Sequence, residues 1–377
     1  MFSISACKTA SERRTFEILP ELLHGAHPAF TPPFPGSVAK FLSRRSPFVR
    51  HGRIEGFLAH RDGQPVGRIA AILNRSHNEF HRDHAGFFGF FDCEDNPETA
   101  AALFAAATDA LRALGCDEMC GPYNPDIHET CGLLIEGEDL PPYLSMPWNP
   151  TYLAPLVEGA GLTPTRTLYA YHLDLHQGLP DRIVRVSKRL RERAHNLRLR
   201  SFDLDRLDDE LRLVHRLYNV TLDRNSGFYP LELEDLLASA TDLRAFANPE
   251  YLIFAEIDGE PVGFMLTLPN FHEILRRNRR IPRRPRFLRI LWTLWNLKTR
   301  PMHTVRQAVL GIHPDHRDRG LAGLMCAEMV QRTQKKNHSA ELSWIESNNE
   351  EVIRIIDLMG GVRDKTFRLY HAPIGSA

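Results

Sequence analysis

Apolar and polar positions run in the same order twice along the chain. HRDGQPVGRIAAILN (60–74) sets apolar residues on both sides of an Asp-Gly pair, and EIDGEPVGFMLTLPN (256–270) repeats the wording almost unchanged. Asp-Gly between apolar runs predicts a two-residue hairpin, because glycine takes a positive φ without steric cost. The segments after the two hairpins match as well. In the first half the pattern predicts a strand at 86–91, a helix at 97–114 entered at Asn96-Pro97 and stopped at Gly115, and a strand at 117–120. In the second half it predicts a strand at 305–312, a helix at about 320–335 and a strand at 340–345. GLTPTRTLYAY (161–171) and GVRDKTFRLYH (361–371) read as matching closing strands. The expectation is an α/β (α+β) protein of two related lobes, 1–176 and 177–377, joined where Gly and Pro break the pattern at 174–181. The second lobe carries an insertion of about 26 residues within 271–300.

Composition narrows the class without choosing a function. The chain has 377 residues, 43% hydrophobic and 25% charged, with a formal net charge of zero, so the field of the whole molecule favours neither nucleic acid nor membrane. Its six cysteines form no CxxC and no paired framework, which predicts reduced thiols and a cytoplasmic location. The first residues lack the apolar core of a signal peptide. The most apolar stretch, FLRILWTLWNL (287–297), is about half a bilayer-spanning length and contains Arg289.

The two copies differ most at the turn between strand and helix. The first reads DCEDNPE, placing Asp92, Glu94, Asp95 and Glu98 around the helix start. The second reads HPDHRDRGLAG, with Arg317, Asp318, Arg319, Gly320, Leu321, Ala322 and Gly323. Free N–H groups and the dipole at a helix N-terminus attract anions. Four carboxylates there repel a phosphate, whereas arginines and small residues admit one.

AVLGIHPDHRDRGLAGLM therefore resembles motif A of the GCN5-related N-acetyltransferase (GNAT) superfamily, with Arg317, Gly320 and Ala322 at its defining positions and Leu310–Gly311–Ile312 at its strand end. The resemblance covers about 200–370. The N-terminal lobe resembles the same fold with a degenerate donor loop. The resemblance implies two tandem lobes, each a mixed, mostly antiparallel twisted sheet flanked by helices. It implies acetyl-CoA as co-substrate, its pantetheine arm along the strand end and its pyrophosphate on the loop amides, with Asn349 at a recurrent position before the last helix. It further implies an N-acetyltransferase acting on a small-molecule or peptide amine. The position where many members carry a proton-donating tyrosine is Ile356 here. Two other readings stay open: a Fem-type aminoacyl or peptidyl transferase using charged tRNA, and a CoA-binding regulatory protein without catalysis.

Acyl transfer to an amine needs a base for the ammonium proton, an oxyanion donor and a proton for the thiolate. Glu346, with Glu341 earlier on the same strand, is the candidate base, and Tyr370 the candidate acid. No metal is expected: His313-x-x-His316 and the His77, His81, His84 group lack an HExxH arrangement, and the latter reads as a solvated or lobe-interface loop. The aromatic-Asn-Pro loops GPYNPDIHETCG (121–132) and MPWNPTYL (146–153) either line an acceptor cleft between lobes or cap sheet ends. Segment 276–300 has ten Arg or Lys and no acid, and reads as an RNA-facing arm, a membrane-surface helix, or a solvated helix packed through Trp292 and Trp295.

Overall fold

A computed structural model describes residues 1–43, 46–223, 225–243, 248–278, 286–317 and 320–375. In chain order the elements are β1 (Phe2–Ala6), α1 (Ala10–His24), α2 (Ser37–Phe41), β2 (Gly52–Arg61), β3 (Gln64–Asn74), α3 (Arg75–His81), β4 (Ala85–Cys93), α4 (Pro97–Arg112), β5 (Glu118–Gly121), β6 (Leu133–Glu136), α5 (Leu153–Gly159) and β7 (Thr163–Asp174). Next come α6 (Asp181–Arg193), β8 (Leu197–Ser201), α7 (Leu207–Thr221), α8 (Leu233–Leu243), β9 (Leu252–Ile257), β10 (Glu260–Pro269), α9 (His272–Asn278), α10 (Arg286–Thr299), β11 (Thr304–Ile312), α11 (Leu321–Thr333), β12 (Ser339–Glu346), α12 (Glu350–Leu358) and β13 (Val362–Pro373).

The described residues divide into two compact units that are interleaved along the chain. One takes those within 1–168, 272–296 and 365–375; the other takes those within 169–271 and 297–364. The first unit orders its strands β1-β2-β3-β4-β5-β13-β7, with β6 also on β13. Its core joins Ile69, Phe88, Leu103, Phe104, Leu133, Val157 and Tyr370. The second orders them β7-β12-β11-β10-β9-β8, with Met265, Val305, Leu324, Met325, Leu342 and Ile356 in the core under α11 and α12. Phe202, Leu213, Leu217, Phe254 and Phe264 form a further core beneath α7. Both units are mixed sheets, mostly antiparallel, with parallel pairing at β4·β5 in the first and β11·β12 in the second.

Both Asp-Gly pairs turn hairpins through the left-handed region: Asp62 and Gly63 have φ of 51° and 78°, Asp258 and Gly259 of 53° and 85°. That pair of positive values is the turn whose twist matches the flanking strands. The His77–His81 stretch, expected as a loop, is instead the short helix α3, nucleated by Asn74, whose side chain accepts from the His77 N–H. A period-3.6 signal over seven residues is too short to read from sequence.

At α4 two acids of the turn, Asp92 and Glu94, are engaged within the protein, while Asp95 and Glu98 stay exposed. Asn96 caps the helix, its side-chain oxygen accepting from the Glu98 and Thr99 N–H groups. Glu94 takes Arg61 at 3.0 Å and the Thr99 hydroxyl at 2.8 Å, while buried Asp92 takes His24 at 2.7 Å. Replacing Asn96 with alanine is expected to cost about 1 kcal/mol of stability, read as a lowered urea midpoint with unchanged m value.

Candidate active site

The second unit opens where two parallel strands part. The β11·β12 ladder runs from Thr304↔Ser339 to Gln307↔Leu342 and stops, although β11 continues to Ile312 and β12 to Glu346. On its other side β11 stays paired with β10 up to Gly263↔Ile312, with a bulge between the Leu266↔Val309 and Thr267↔Gln307 pairs. An extra residue in one strand, here Ala308, increases its twist and turns it away from a neighbour. Val309–Ile312 therefore presents one edge that no described strand pairs, with only the Ile312 C=O taken, by the Arg317 side chain. Main-chain N–H and C=O groups at such an edge accept an extended amide-bearing chain as an added strand.

Directly after that edge stands the N-terminus of α11. Gly320 is its N-cap, with φ of 72° and no side-chain cap. Leu324 N–H bonds back to Gly320 C=O, so the Leu321, Ala322 and Gly323 N–H groups precede the first intrahelical bond. A Cβ on Gly320 would lie 3.0 Å from Leu190 of α6, and one on Gly323 would meet nothing within 4 Å. Glycine at 320 is thus favoured by the backbone, a Cβ there also requiring the Leu190 side chain to shift, while 323 faces an opening. Asp318 and Arg319 lie outside the described residues. The contrast with α4 is direct: there a side chain occupies the helix N–H groups, here none of the described residues does.

Arg317 is placed differently from a phosphate-facing arginine. Its Nε donates to Ile312 C=O at 3.2 Å and its Nη2 to Thr221 C=O at 2.9 Å, tying the end of β11 to the C-terminus of α7, with Asp223 3.7 Å away. A cation at a helix C-terminus also complements its dipole. Thr221 presses against the strand end: a Cβ on Gly311 would lie 2.1 Å from its Oγ1. Gly311 is buried, and Leu310 and Ile312 half-buried, along the open edge. Asn349 caps α12, accepting from the Val352 N–H at 3.3 Å.

Glu346, at the end of β12, is half-buried and accepts from the Ser226 hydroxyl at 3.2 Å. Tyr370 belongs to the first unit's core, its hydroxyl 3.3 Å from Glu158; burial first, and that carboxylate second, push its pKa up to about 12. Tyr370 and Glu346, the two candidate catalytic residues, belong to different units. Ile356 is buried in the core beneath α12 and offers no proton.

Sequence reasoning named Glu341 but missed its companions. Fully buried, it accepts from Ser343 Oγ at 2.9 Å; that oxygen accepts from Arg306 Nε at 3.0 Å, and Arg306 Nη2 donates to Ser343 C=O at 3.2 Å. The Arg306 guanidinium also lies over the Trp344 ring, 4.9 Å from its centre. This polar set sits at the last rungs of the β11·β12 ladder. The signal was available: in ELSW, alternate polar residues interrupt an otherwise apolar strand, and Arg306 does the same in its partner.

In the first unit the matching edge is covered by the chain itself. β4·β5 pairing ends at Phe87↔Cys120; beyond it Tyr123 N–H donates to Phe88 C=O at 2.8 Å, and the Asn124 side-chain oxygen accepts from the Phe90 N–H. GPYNP therefore caps a sheet end. MPWNP does similar work, Asn149 bonding both Leu134 N–H at 2.8 Å and Leu134 C=O at 3.0 Å. Among the described residues, one group has metal-ligand proximity: Glu118, Cys120 and His371, all in the first unit. His371 already holds Glu118 at 2.9 Å, and burial with the neighbouring acids Glu118 and Asp83 raises the Cys120 thiol to about 12, which opposes thiolate ligation.

The comparisons agree with this geometry. Residues 214–360 match the sequence model of the Acetyltransferase (GNAT) family. A protein of Caulobacter vibrioides (strain NA1000 / CB15N) called "Bacterial ceramide synthase" is 30% identical over 379 residues, spanning 98% of this chain and 96% of that one. Protein YghO of Escherichia coli (strain K12) is 26% identical over 370 residues, spanning 97% and 93%. A solved tandem GNAT protein from the clavulanic acid biosynthesis pathway covers 100% of both chains with a TM-score of 0.59 at 13% identity. The GCN5-related N-acetyltransferase from Sphaerobacter thermophilus covers 100% of this chain and 96% of its own, with a TM-score of 0.56 at 14% identity. Those two likenesses speak to the fold, tandem lobes included. A ladder that parts beside an uncapped helix start, the matched family model and the full-length relatives lead to one conclusion: this chain belongs to the GNAT acetyltransferase superfamily and has an acyltransferase fold.

Proposed function

We propose that the second unit binds an acyl-CoA and that the protein transfers its acyl group to the primary amine of a long-chain amino alcohol. The observation that carries the donor half is the uncapped start of α11 next to the unpaired edge of Val309–Ile312. The Leu321, Ala322 and Gly323 amides would hold the diphosphate, and the β11 edge the pantetheine amides. The acceptor half rests on the relative named as a ceramide synthase, since a ceramide is the amide of a fatty acid with a long-chain amino alcohol.

The amine nitrogen attacks the thioester carbonyl, an N–H on the open β11 edge meets the developing oxyanion, and the C–S bond then breaks as the C–N bond is kept. Glu346 takes the proton that the ammonium must lose, its carboxylate held by the Ser226 hydroxyl. The attacking nitrogen, made acidic by the new C–N bond, releases its second proton to solvent as the intermediate collapses, and the departing thiolate takes its proton from solvent, because Ile356 has none to give.

Mass spectrometry of reactions containing sphinganine with acetyl-CoA or palmitoyl-CoA tests this. Amide formation is expected, and Glu346→Gln is expected to lower kcat by about 100-fold with donor affinity unchanged. Absence of amide with either chain length, while calorimetry still registers CoA, would overturn the transfer and favour the CoA-binding regulatory reading. Buried Ile356 at the usual acid position is the observation that supports that second reading.

A further inference from the structure

Helix α10 is turned inside out. Phe287 is 61% exposed, Leu291 60%, Trp292 45%, Leu294 42% and Trp295 52%, and Leu288 is exposed beside them; the buried side chains are Thr293, Asn296 and Leu297. At 3.6 residues per turn the six exposed apolar residues fill an arc of about 160°. A helix facing water has the opposite arrangement. From Phe287 to Trp295 that arc holds apolar residues alone, with Lys298 and Thr299 on it only at the helix end, and such a face marks a surface made to meet something other than water. The tryptophan rings lie against each other with centres 5.3 Å apart, both about half exposed on that face, so of the three readings of this segment the one that packs the helix through them is disfavoured.

Charge selects the occupant. The sequence from Arg276 to Arg300 contains ten Arg or Lys and no acid, and Lys298 and Arg300 are exposed at the end of the helix. A second copy of the chain would bring the same positive charge to its own apolar face. RNA would leave the aliphatic part of the face uncovered. A bilayer with anionic headgroups satisfies both: acyl chains receive Phe287, Leu291 and Leu294, tryptophans settle at the headgroup level, and phosphates receive the cations. The helix has 14 residues, about 21 Å, and no described helix is long and apolar enough to cross a membrane, so it lies in the surface plane.

We infer that α10 docks the protein on an anionic lipid bilayer through Phe287, Leu291, Trp292, Leu294 and Trp295. This goes beyond acyl transfer, and its test uses no substrate. The full chain is floated on a density gradient with vesicles of phosphatidylcholine alone or mixed with phosphatidylglycerol, and its oligomeric state is measured in parallel. Wild type is expected to float with the mixed vesicles, Leu291→Glu/Trp295→Glu to bind at least about 10-fold more weakly, and Lys298→Gln/Arg300→Gln to lose affinity that wild type loses on adding salt. All four substituted side chains are exposed, and far-UV dichroism checks that the fold persists. Wild type remaining unbound, the Leu291→Glu/Trp295→Glu variant floating equally well, or a wild-type dimer that the same variant dissolves would each overturn the proposal.

Discussion

Gly320→Val is expected to weaken CoA binding by about 100-fold or more, with the fold intact. Valine at a φ of 72° is strained, and its Cβ would sit 3.0 Å from Leu190. The residue relaxes by leaving the left-handed region, and the amides after it turn away from a common point. Charge-assisted hydrogen bonds contribute about 1.5–3 kcal/mol each. Losing two gives at least the stated factor, at about 1.4 kcal/mol per tenfold. Gly323→Leu separates donor binding from stability. No atom lies within 4 Å of its added Cβ, and leucine has a helix propensity about 0.8 kcal/mol better than glycine. This variant should therefore unfold at a higher temperature than wild type yet bind CoA poorly, because its side chain enters the space the diphosphate needs. Calorimetric titration with CoA and thermal unfolding read the two quantities. Wild-type affinity in both variants would remove the donor site from this corner.

Arg306→Met is expected to destabilise the second unit by about 3 kcal/mol, the usual scale for removing one partner from a buried ionic set. Glu341 is 0% exposed, so the carboxylate would keep Ser343 as a neighbour and lose the cation beyond it. Replacing both, Arg306→Met with Glu341→Leu, should recover most of the loss, since apolar substitution of a whole buried set is often near neutral. Hydrogen exchange at β11 and β12 amides is the measurement: about 100-fold faster exchange for the single variant, and near wild type for the double. Equal exchange in all three would mean that this set does not hold the strands. Because it lies where the ladder ends, the single variant should also weaken CoA binding.

Local chemistry was legible in the sequence; partnership was not. Asp62-Gly63 and Asp258-Gly259 announced their turns because few residues tolerate those φ values. GLAG announced the start of α11 because small residues and a helix start occur together there. The closing strands were also visible, but strand periodicity names no neighbour, so nothing predicted that residues 365–375 join the first unit's sheet. Arg317 was read for its charge, yet two carbonyls within reach claim its guanidinium. The approach of Leu190 to Gly320 spans 130 positions and leaves no trace in either segment. In α10 the spacing of apolar residues was plain, but only the fold reveals which side faces out.

Tyr123 and Asn124, bonded to Phe88 and Phe90, have a stoichiometric consequence. The protein should saturate at a single equivalent of acyl-CoA although both units carry a similar mixed sheet. Neutralising the carboxylates at 92–98 would not restore a second equivalent, because the groove's hydrogen-bonding positions are already occupied from within. A second equivalent would require the 122–124 loop to move and Asn96 to release the Glu98 and Thr99 N–H groups together.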